Sequence, residues 1–131
     1  MSYINISHIG NKHNDWLSGL AFYKDDIHMM EQRLAEIAGR KLDLMARQNM
    51  EHFQNQFIVQ KNNIDELRHK INEHLKHLGK DAGLHGGHIN ESLVSEHGNL
   101  EAEYKMLESV MNDLRHEFNN YHSMHSAISS S

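Results

Sequence analysis

The chain predicts an all-α fold: an antiparallel three-helix bundle with coiled-coil-like heptad packing, in which a long hairpin of helices 2 and 3 projects beyond helix 1. Three observations lead there. Apolar residues recur at 3-4 spacing along three stretches, beginning with Trp16, Leu20, Tyr23, Ile27, Met30, Leu34 and Ile37. The second stretch runs from Met50 through Phe53, Phe57, Ile64, Leu67 and Ile71 to Leu78, and the third from Leu93 through Leu100, Tyr104, Leu107, Met111, Leu114 and Phe118 to Tyr121. A repeat averaging about 3.5 residues lays each set along one side of a helix. The second observation is Pro 0 with only Gly 8; a proline inside a helix costs about 3 kcal/mol. The third is that the connections are short, which makes successive helices antiparallel neighbours.

The chain reads as one domain of 131 residues, below the size at which a core divides. Residues 1–13 are expected to form a leader containing Tyr3, Ile4, Ile6 and Ile9. Helix 1 is expected over 14–39, because Asn14 or Asp15 can cap the free N–H groups of a first turn and Gly39 can end the last. Gly19, inside it, weakens it by about 1 kcal/mol relative to alanine. Helix 2 is expected over 43–79, with Lys76, His77 and Lys80 at the end that favours cations. A Gly/His-rich loop spans 80–89, because Gly79, Gly83, Gly86 and Gly87 crowd that region. Helix 3 is expected over 90–125, capped by Asn90 and stapled by Ile89 and Val94; a frayed, serine-rich tail covers 126–131.

At 1.5 Å per residue, helix 1 would be about 37 Å long and the other two roughly 50 Å each. Folding the chain near residue 41 then leaves Ile71, His74, Leu78, Leu93 and His97 half-covered at the hairpin tip. Apolar surface without an internal partner favours association, so the sequence predicts a homodimer or a helical protein partner.

Composition narrows the function. Cys 0 removes disulfides and thiolate chemistry and suits a reducing cytoplasm, the expected location. No window approaches the roughly 18 apolar residues of a membrane span, and the amino terminus lacks the pattern of a secretory signal. With Lys+Arg 13 against Asp+Glu 18, the chain has no basic face for nucleic acid. No Gly-x-Ser-x-Gly or phosphate-cradling glycine motif occurs, so an enzyme is the less favoured reading. The leading expectation is a non-enzymatic helical interaction or oligomerisation module.

Histidine is the outlier, at His 13 in 131 residues. On the apolar stripes only Gln60, His74 and His97 are polar. His74-x-x-His77 closes helix 2, His85-x-x-His88 lies in the glycine loop, and Glu101 follows His97 one turn later. Folding the hairpin near residue 84 brings His74 and His97 within about one turn of each other. Neutral imidazoles and a carboxylate converging in this way form a ligand set for zinc, copper, nickel or iron. The alternative function is therefore a transition-metal-binding bundle using His74, His77, His85, His88, His97 and Glu101.

Other patterns carry less. Asp25-x-x-His28, Glu66-x-x-His69 and Asp113-x-x-His116 partly resemble the Glu-x-x-His ligand pairs of dinuclear-iron bundles. However, His69 and His116 stand two residues past the stripe, about 200° around the helix, and should face solvent. His97-x-x-x-Glu101 resembles one iron-ligand pair of hemerythrin-like bundles, but no other histidine pair follows at that family's spacing. His77 and Lys80 match a fragment of phosphotransfer helical domains, which continue their helix where Gly79 is expected to end this one.

Overall fold

The computed structural model describes the backbone of residues 6–84 and 91–126 and the side chains of 11–80 and 91–125. Three helices account for nearly all of it: α1 (Ile6–Ala38), α2 (Leu44–Leu84) and α3 (Glu91–Ser126). Each packs on both others, giving the all-α three-helix bundle that the stripes predict. None is long and apolar enough to cross a membrane.

Cross-helix contacts fix the directions. Between α1 and α2, Lys24 meets Asp65 at 2.8 Å and Glu31 meets Lys61 at 2.8 Å, so rising numbers face falling ones and the pair is antiparallel. Lys70–Glu103 at 3.1 Å and His52–Glu117 at 3.9 Å show the same for α2 and α3. α1 and α3 run parallel, through Tyr23–Glu108, Asp26–Arg115 and Arg40–His125.

The core is the set of stripe residues. Leu20, Ile27, Ile37, Ile71, Met111 and Phe118 are completely buried, and Phe53, Phe57 and Phe118 pack ring against ring at 5.3–6.2 Å. Such burial is worth about 1.5–3 kcal/mol per large side chain. Gln60 is buried among them, and its amide oxygen accepts a hydrogen bond from Asn63 Nδ2 at 3.3 Å.

Element boundaries differ from expectation at both ends of the site. α1 begins at Ile6, not at Asn14, so what reads as a leader from Ile6 onward is helix. Capping by Asn14 or Asp15 yields to stripe spacing, which continues backward from Trp16 to His13. α2 passes through Gly79 and Gly83 to Leu84, because glycine lowers helix propensity by only about 1 kcal/mol and does not forbid the conformation. α2 starts as expected: the Asp43 carboxylate accepts from the Ala46 backbone N–H at 2.8 Å, satisfying one of the first turn's free donors. The expected loop residues His85 and His88, Ile89 and the cap Asn90 lie outside the described residues.

The early start of α1 changes the tip. Its 33 residues span about 50 Å, and His13 and Trp16 cover His74 and His97, which the shorter helix would have left half-exposed.

Candidate metal centre

Three histidines, one from each helix, meet in the core near the hairpin tip. His13 and His74 are completely buried and His97 is 8% exposed. The His13 ring lies 5.1 Å from that of His74 and 5.2 Å from that of His97, at 77° to both, and His74 and His97 are 6.3 Å apart. One ring nitrogen from each falls within 4.8 Å of the other two.

Helical periodicity builds this arrangement. His13 stands one turn before Trp16, His74 lies between Ile71 and Leu78, and His97 precedes Leu100; all are core steps of their stripes. Trp16 forms a wall, stacked on His97 at 4.9 Å and edge-on to His13 at 4.9 Å. Tyr104 continues the stack behind Trp16, at 6.1 Å. Its hydroxyl fills the space over Gly19, where a β-carbon would collide with it. Gly19 is thus the gap that admits Tyr104, rather than a mere weakness in α1.

The electrostatics favour neutral imidazoles. Burial pushes His13 down to about 4, helped by the neighbouring His74 and His97. Burial also lowers His74, against an opposing pull from Glu96. The Glu96 carboxylate lies 3.4 Å from His74 Nδ1, within ion-pair reach but without hydrogen-bond alignment. Among the described residues, both nitrogens of His13 and Nε2 of His74 have no hydrogen-bond partner. Burying a polar group in that state costs about 1–3 kcal/mol.

A metal ion would satisfy one nitrogen of each ring. Imidazole nitrogens bind zinc at about 2.0–2.1 Å, and two of them on a tetrahedral ion sit about 3.4 Å apart. Pairs within 4.8 Å would need to close by no more than about 1.4 Å to reach that spacing. Neutral, nitrogen-only ligands suit zinc, copper, nickel and cobalt and suit calcium or magnesium poorly.

The structure brings together two of the six sequence-derived candidates, His74 and His97. His77 is exposed, because Leu78 takes the next core step after His74. Glu101 is half-buried and turned toward Lys105 at 3.8 Å, while Leu100 occupies the core. His85 and His88 are outside the described residues. The site also contains His13, which sequence reasoning assigned to a non-helical leader; the signal for it was the three-residue step to Trp16. His28, His69 and His116 all lie at the exposed surface. His77 and Lys80 do share a continuous α2, and both are exposed.

Comparison of the chain with protein-family models, curated proteins and solved structures finds no match in any of the three.

Proposed function

We propose that the protein binds a divalent transition-metal ion of the zinc, copper or nickel class through His13, His74 and His97. One observation carries this reading: three buried histidines from three helices bring one nitrogen each within 4.8 Å of the other two, and those of His13 have no hydrogen-bond partner. Chance placement of a polar group in a core is normally resolved by a hydrogen bond. Here a bound ion satisfies several nitrogens at once, and the lowered proton affinity of His13 and His74 keeps them in the form that ligates.

The test is elemental mass spectrometry on untagged protein equilibrated with zinc and desalted. About one ion per chain is expected, falling to background when His13, His74 and His97 are all replaced by leucine. Metal-free wild-type protein, or equal loading in the triple variant, overturns the reading.

A helical interaction module is the second reading. Met106, 71% exposed, and Val110 flank the groove between α2 and α3 floored by Leu67 and Leu107, and such apolar surface favours a partner. A dimer seen by light scattering at tens of micromolar, abolished by Met106→Lys, would support it; a monomer would count against self-association.

A further inference from the structure

Resting on the three-histidine metal reading, we propose that Glu96 is a positioning residue of the site: its carboxylate accepts a hydrogen bond from His74 Nδ1–H, which fixes the ring in the tautomer that ligates through Nε2.

The layout of α3 points to this. Glu96 and His97 are consecutive, so about 100° of helix separates their side chains. His97 turns into the core, 8% exposed. Glu96 turns toward α2, where its carboxylate lies 3.4 Å from His74 Nδ1. α3 thus supplies one ligand of its own and a support for the ligand of α2. The His74 ring is completely buried, beside His13 at 5.1 Å and His97 at 6.3 Å between ring centres, whereas the Glu96 side chain is 45% exposed. Aligning the pair therefore falls to the carboxylate, which borders solvent, rather than to the enclosed ring.

The chemistry of imidazole does the rest. A neutral ring carries its proton on one nitrogen and offers a lone pair on the other. A carboxylate facing Nδ1 favours the proton there, which leaves the Nε2 lone pair for an ion. Nε2 is buried and has no hydrogen-bond partner among the described residues, so the nitrogen left over is also one in want of a ligand. Metal-binding histidines regularly donate their second N–H to a carboxylate, which orients the ring and raises its basicity. The charges agree as well: three neutral rings offset none of a divalent ion's charge, and Glu96 sets a negative group on the Nδ1 side of His74. Glu101, one turn after His97, is turned instead toward Lys105. The carboxylate that serves the site is the one just before His97.

Heteronuclear NMR of the imidazole nitrogens in the full chain, with zinc as the probe and its Kd measured by chelator competition, tests the assignment. With zinc bound, His74 Nδ1 should carry the proton and Nε2 the metal, a result that the wild-type spectrum gives without any variant. Before zinc is added the same tautomer should prevail, and Glu96→Ala should let the other appear. Glu96→Ala should also weaken zinc binding about ten- to a hundredfold. Glu96→Gln, whose amide oxygen still accepts from Nδ1–H, should keep the tautomer and lose less affinity. Zinc held through His74 Nδ1, an unchanged Kd in Glu96→Ala, or an equal loss in Glu96→Gln overturns the role of Glu96 and leaves the metal reading standing. No bound zinc in the wild-type chain overturns both.

Discussion

At the residue scale, the informative positions are those where a side chain has only one reason to be there. Gly19 and Gly98 both lie inside helices, and propensity alone would favour alanine at either by about 1 kcal/mol. Their surroundings separate them. A β-carbon at Gly98 meets nothing within 4 Å, whereas one at Gly19 collides with the Tyr104 hydroxyl. Gly98→Ala should therefore raise the melting temperature by about 4 °C, as roughly 1 kcal/mol does for a chain of this size. Gly19→Ala should not stabilise, because it displaces a ring stacked on Trp16; thermal melts of the two variants decide the matter. Tyr104 and Tyr23 are also the points where burial and nearby Glu108 resist ionisation, with Tyr23 pushed up to about 12. Neither phenol carries charge near neutrality.

At the element scale, the helices rest on different supports. α2 depends on Asp43 for its start and on Tyr121, whose hydroxyl donates to the Ala46 carbonyl at 2.9 Å, so that end of α2 is tied to α3. Asp43→Ala should cost about 1 kcal/mol, the usual value of a lost cap, read as a lower urea midpoint with an unchanged slope. The start of α2 at about residue 43 was legible in sequence. The start of α1 was not. Asn14 and Asp15 are good caps placed where a cap is plausible, yet His13, Ile9 and Ile6 continue the 3-4 spacing past them. Cap and spacing point to different starts, and the expectation followed the cap. The same step hid one third of the candidate site, although His74 and His97 could be read from their stripes. His77 and Glu101 lie outside the histidine cluster because Leu78 and Leu100 hold the inward positions.

At the scale of the whole molecule, acid acts twice. Thirteen added protons would take the formal charge from -5 to +8, and self-repulsion of that size opposes the compact state. His13 adds a specific contribution. Its proton affinity falls from an ordinary 6.5 in the unfolded chain to about 4 in the bundle, so between those values the unfolded chain binds more protons and folding weakens as pH drops. Above about pH 6.5 this penalty is absent; by pH 4 it reaches about 3 kcal/mol, at 1.36 kcal/mol per unit. Urea unfolding of metal-free protein at pH 7 and pH 5 should show the loss, and His13→Leu should remove the part of it that His13 causes. The aromatic wall of the site has an optical consequence as well. Trp16 is the sole tryptophan, and it touches both His13 and His97, so the indole emission of the entire protein originates at this one spot. A protonated imidazole or a paramagnetic ion there would dim it, which lets the unlabelled chain report by its own fluorescence on the state of its three histidines.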